Sequence, residues 1–99
     1  MDGRLNVSDP YEYGGYFLKV TSQFESRCKA AGTRFHRFQD VYGRARAVIA
    51  ADPGQRGQVL PRLDGVYVSE KDSTAQLPGM RIRYRYLGQN ILFMDIEVW

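Results

Sequence analysis

The chain has few of the side chains on which small-protein chemistry usually depends. It holds one cysteine, Cys28, and one histidine, His36. A single cysteine excludes an internal disulfide, and a reducing, cytoplasmic setting is expected. One cysteine and one histidine also cannot assemble a zinc site. A catalytic triad or a cysteine–histidine dyad would have to use His36, which is expected on a helix as a structural residue. No apolar run reaches 18 residues, so no membrane-spanning helix is expected, and residues 1–20 lack the basic start and apolar stretch of a signal peptide. The stretch "GQRG" at 54–57 has too few glycines, and no following Lys-Ser/Thr, to be a phosphate-binding P-loop. Repeats and low-complexity tracts are absent as well.

What is present is an ordinary globular composition. Apolar residues make up 43% and charged residues 25%, enough for one core and one domain rather than a disordered chain. The formal charge of +3 is compatible with an anionic partner without requiring one. Residues 1–15 read as a polar lead-in with turn signals at Asp9-Pro10 and Gly14-Gly15, and residues 16–99 as the single domain.

"YFLKV" at 16–20 has the content of a strand. Ser22 followed by Glu25 predicts a capping box and a short helix that Gly32 interrupts. A longer helix is expected from about Thr33. Its buried face would carry Phe35, Phe38, Val41, Tyr42, Ala45, Val48 and Ile49, and its outer face Arg34, Arg37, Arg44 and Arg46. Asp52-Pro53 ends it. A Gly/Gln/Arg loop, a strand near 65–69 and a polar loop, "EKDSTAQLPG", follow. The order of elements gives an α+β fold.

The last twenty residues read as a hairpin, with strands 80–87 and 91–98 joined by "GQN". In "RIRYRY" at 81–86, arginines alternate with apolar or aromatic residues, so Arg81, Arg83 and Arg85 share one face. A three-residue loop would place Tyr84 opposite Met94 and Ile82 opposite Ile96. It would also place Arg83 opposite Asp95 and Arg81 opposite Glu97, while Arg85 would face Phe93 with no acid. Asp95 and Glu97 are thus read as ion-pair partners rather than as an acid/base dyad.

Cations and aromatics remain as the candidate functional chemistry. Six Lys/Arg and one acid, Asp40, lie between Arg27 and Arg46. Such a helix face is either solvated or contacts phosphate or an acidic protein segment. Tyr67, Lys71, Arg85 and Trp99 add the aromatic–cation mixture that suits RNA bases and phosphates.

The stretches "FLKVTSQFESRCKAAG", "ADPGQRGQVLPRLDGVYV" and "GMRIRYRYLGQNILFMDIEV" together resemble the RelE/ParE superfamily of bacterial toxins, over roughly residues 16–98. In the last stretch, Gly79 followed by Arg81, Ile82 and Tyr84 is similar to the family's recurring strand, in which an arginine precedes an apolar residue and a tyrosine. The resemblance implies two helices packed on a small, mostly antiparallel twisted sheet. It implies the toxin of a type II toxin–antitoxin pair, held by a cognate antitoxin and acting on mRNA at the ribosome as a metal-independent endoribonuclease without cofactors. In that role Arg81, Arg85 and Lys71 would contact phosphate or the transition state. Tyr67, Arg83 and Tyr84 would contact nucleic acid, and Arg34 and Arg37 would meet the antitoxin. ParE-type relatives inhibit DNA gyrase instead, and an inactive binding module of the same fold is the third reading. RelE-type toxins usually carry further catalytic Arg, His or Tyr residues after the last strand, where this sequence has Trp99.

Overall fold

A computed structural model of the chain describes residues 11–13, 15–54, 58–59 and 65–99. The expected turn at Asp9-Pro10, Gly14, and most of the Gly/Gln/Arg loop lie outside the described residues. The fold is α+β. In chain order it comprises β1 (Tyr11–Tyr13), β2 (Tyr16–Val20), α1 (Ser22–Arg34), α2 (Phe38–Ala51), β3 (Gln58–Val59), β4 (Tyr67–Lys71), β5 (Met80–Leu87) and β6 (Asn90–Val98). The strands form one mixed sheet in the order β1-β2-β6-β5-β4-β3. Among the described strands only β2 and β6 run parallel, with Leu18 beside Ile91 and Val20 beside Phe93; the other described pairs are antiparallel. β1 falls inside the expected polar lead-in.

Both helix ends differ from the sequence reading. The cap of α1 is Thr21, not Ser22: the Thr21 hydroxyl accepts from the Phe24 amide at 3.1 Å and donates to the Met94 carbonyl at 2.9 Å. One buried side chain therefore closes the helix and ties it to β6. Gly32 does not end α1, which continues to Arg34, where the Phe35 amide donates to the Ala31 carbonyl at 2.8 Å. The helical cost of a glycine, roughly 1 kcal/mol, is outweighed by the packing of Ala31 and Phe24 in the core. Residues 35–37 form the turn, so α2 starts at Phe38 instead of Thr33. Its buried face is Phe38, Val41, Tyr42, Ile49 and Ala50, while Val48 is exposed.

The hairpin combines the two loop lengths that the sequence allows. The turn has two residues, Gly88 and Gln89, because Leu87 pairs with Asn90. Gly88 takes φ +58°, which a residue with a Cβ adopts only at a cost. Near the turn, Tyr86 pairs with Ile91, Arg85 with Leu92 and Tyr84 with Phe93, correcting the expected Tyr84–Met94 and Arg85–Phe93 pairs. A bulge on β6, opposite the Arg83–Tyr84 step of β5, absorbs Met94 and restores Arg83–Asp95, Ile82–Ile96 and Arg81–Glu97 as expected. Burial decides this arrangement. With the bulge, Ile91, Phe93 and Ile96 all reach the helix-covered face, and all are buried.

The core lies between that face and the helices. Phe24 meets Phe93 and Tyr42 at ring distances of 5.3 and 5.9 Å, and Tyr42 stacks on Phe38 at 5.5 Å. Leu18, Ile82, Tyr84 and Ile91 complete it. The opposite sheet face carries no described helix.

Candidate functional site

On the helix-free face, the register of the strands arranges charge in rows. Arg81 Nε lies 3.0 Å from Glu70 Oε1, and Arg81 Nη1 3.3 Å from Glu97 Oε1. Arg83 reaches Glu97 at 3.6 Å and Asp95 at 3.8 Å. Asp95 in turn accepts from Arg27 of α1 at 3.0 Å. The result is an alternating network of three arginines and three carboxylates that is neutral as a group. The hydrogen bond and charge of Glu70, then those of Glu97, raise the pKa of Arg81 above its ordinary value, fixing it as a cation committed to its neighbours. Two arginines of "RIRYRY" are therefore structural charges, and Glu70, read as a loop residue, supplies a partner that the hairpin alone does not show.

Arg85 differs. It pairs across the ladder with Leu92, which pairs with Lys19 of β2. Among the described residues neither Arg85 nor Lys19 forms an ion pair. Both line an open groove of about 440 Å³ together with Leu87, Leu92, Asn90 and Gly65. Leu87 at the turn is 84% exposed and Phe17, one row below Lys19, is 41% exposed. Two cations without an ion pair among the described residues thus flank an apolar strip on the sheet face that carries no described helix.

The remaining candidates do not join this site. Lys71 belongs to β4, not to a loop, and pairs with Met80. It therefore starts from the helix-side face, opposite to Arg81 and Arg85. Arg81 and Arg85 are themselves about 13 Å apart along the strand. Tyr84 is fully buried, its hydroxyl donating to the Pro53 carbonyl at 2.6 Å, and burial pushes its pKa up. It cannot reach a nucleic acid without unfolding the core. Tyr67 stands beside it on the same helix-side face, at ring distances of 5.6 Å from Tyr84 and 5.2 Å from Tyr86. The tyrosines expected to contact nucleic acid, Tyr67 and Tyr84, are thus packed against each other. A hydrogen bond with Tyr67, followed by burial, raises the pKa of Tyr86.

Arg34 and Arg37 do not share a helix face. Arg34 ends α1 with its guanidinium 5.1 Å from the centre of the Phe35 ring. Arg37 precedes α2 and pairs with Asp40 at 2.9 Å. His36 sits in the turn between them and not on the helix, beside a cleft of about 390 Å³ shared with Trp99 and the 73–78 loop. Arg46 turns inward onto the Tyr42 ring at 4.9 Å and is not on the outer face. Cys28 is half-buried, and desolvation, opposed by Arg46 and aided by Glu25, pushes its thiol up to about 12. A thiol held protonated in this way is a poor nucleophile at neutral pH.

Sequence reasoning missed Lys19, Phe17, Leu87 and Leu92 as site residues. The alternation in "YFLKV" places Phe17 and Lys19 on one strand face. The parallel pairing of β2 with β6, some 70 residues away, has no local signal. Among the described residues no cluster of His, Cys, Asp or Glu could hold a metal, and no helix is long and apolar enough to cross a membrane. No family model, curated protein or solved structure matches the chain.

Proposed function

We propose that the chain is a toxin of a type II toxin–antitoxin pair, with the RelE/ParE arrangement, that works in the cytoplasm by binding a protein target in the manner of a ParE-like DNA gyrase inhibitor. Its resting partner is the cognate antitoxin. From β2 onward, the order of one strand, two helices and then strands supports the family reading. The observation that carries the binding reading is the groove of Arg85 and Lys19 around Leu87 and Leu92. An exposed Leu87 and a half-buried Leu92 between cations that have no ion pair among the described residues suit a protein interface, whereas Tyr67 and Tyr84, expected to contact nucleic acid, sit on the covered face. The test is gyrase-dependent DNA breakage in cells expressing the chain. Covalent gyrase–DNA complexes should accumulate with the wild type and fall at least about tenfold with Arg85→Glu, a substitution at the centre of the groove.

Ribosome-dependent mRNA cleavage is the second reading, and Arg85, which has no ion pair among the described residues, favours it as a phosphate contact. A cleaving site also needs Arg81 and Lys71 around the same phosphate, and those two start from opposite faces of the sheet. Single-turnover mRNA cleavage on purified ribosomes separates the two readings.

A further inference from the structure

β6 is an interior strand for only half of its length. β2 covers residues Asn90–Phe93, and beyond Phe93 no described strand lies on that side. Gly79 and Trp99 exchange both backbone hydrogen bonds, at 2.8 and 3.1 Å. In an antiparallel ladder such pairs alternate, so Met80–Val98 and Ile82–Ile96 are non-hydrogen-bonded pairs. The amides and carbonyls of Ile96 and Val98 therefore point away from β5, toward the side on which no described strand lies. One of the four groups is already satisfied: the Ile96 amide donates to Asp95 Oδ1 at 2.9 Å. The Ile96 carbonyl and both polar groups of Val98 have no partner among the described residues.

Beside this edge runs a groove of about 180 Å³ between α1 and β6, lined by Arg27, Ala30, Ala31, Arg34, Ile96 and Val98. Its floor is apolar. The Arg27–Asp95 pair stands at one end, and Arg34, which has no carboxylate partner among the described residues, at the other. We propose that this edge accepts one extended acidic–apolar segment of a partner protein as an added strand. Its backbone would pair with Ile96 and Val98, an apolar side chain would enter the groove, and a carboxylate would meet Arg34. The Asp95 carboxylate limits where the guest strand can start, because it occupies the Ile96 amide that a strand passing further toward Phe93 would need.

The inference is independent of the gyrase reading, because it concerns the α1 edge of β6 and not the Arg85 groove. The test uses the full chain, labelled for NMR, and a capped six-residue peptide alternating glutamate and valine. The peptide should slow hydrogen exchange at the Val98 amide while leaving the Arg85 amide unchanged. Its N-methylated counterpart, which keeps the side chains but loses the backbone donors, should bind at least about tenfold more weakly, as loss of two backbone hydrogen bonds implies. Arg34→Glu, at an exposed position, should weaken binding several-fold and flatten its salt dependence. Equal affinity for the N-methylated peptide would overturn strand addition. So would absence of protection at Val98 at millimolar peptide, or pairing of this edge with a second copy of the chain.

Discussion

Arg81, Arg83 and Arg85 occupy equivalent positions in the sequence and different ones in the molecule. The alternation alone places them on one face, and the expected pairing of Arg81 with Glu97 and of Arg83 with Asp95 is what the strands show. The alternation cannot reveal Glu70, because that partner belongs to the neighbouring strand β4. Arg81→Ala is expected to lower the urea midpoint by breaking contacts to two carboxylates, whereas Arg85→Ala should leave the midpoint unchanged. Tyr84 shows why a motif match does not fix a role. The position resembles the family's strand tyrosine, but alternation sends it into the core, where it anchors the end of α2 through Pro53. Tyr84→Phe should cost about 1–3 kcal/mol in denaturant unfolding, since the buried Pro53 carbonyl loses its donor. Cys28 provides a pH signature. Its thiol ionises near 9.0 when unfolded and only near about 12 when folded. Stability from this group is thus complete below pH 9 and is lost as pH rises toward 12. A thiol reagent at pH 8 should label native protein far more slowly than unfolded protein.

At the scale of elements, local chemistry was readable wherever a strand or helix is closed by its own neighbours. The α2 stop at Asp52-Pro53 and the far half of the hairpin follow from proline geometry and charge pairing. The caps and joints are less legible because their partners are distant. Ser22 and Glu25 mimic a capping box, but Thr21 is the residue within reach of both Phe24 and Met94, so tertiary contact selects it. The bulge at Met94 was hidden for a similar reason. Either loop length satisfies part of the apolar pattern, and only an extra residue satisfies all of it. Thr21→Ala should cost at least about 1 kcal/mol, the usual value of a lost cap, with the freed Met94 carbonyl adding to it. Thr21→Ser, which keeps the hydroxyl, should recover most of the loss in the same unfolding experiment. Gly88→Val should also destabilise, because valine strains the positive φ of the turn.

At the scale of the whole molecule, the sheet separates two kinds of surface. One face is covered by both helices and holds the aromatic core, with Tyr67 and Tyr86 at its margin. The other is a neutralised charge network at one end and, at the other, an apolar groove whose cations have no ion pair among the described residues. The net charge of +3 says nothing of this division, which depends on the parallel contact between β2 and β6. Binding at the groove should weaken with salt but retain an apolar component that salt does not remove, unlike a contact made with phosphates alone. The most direct measurement is the amount of DNA covalently linked to gyrase after a short induction of the chain, compared between the wild type and the Arg85→Glu variant. The proposed function predicts abundant complexes with the wild type, few with the variant, and intact mRNA in both. Cleaved ribosome-bound mRNA without gyrase-linked DNA would contradict it.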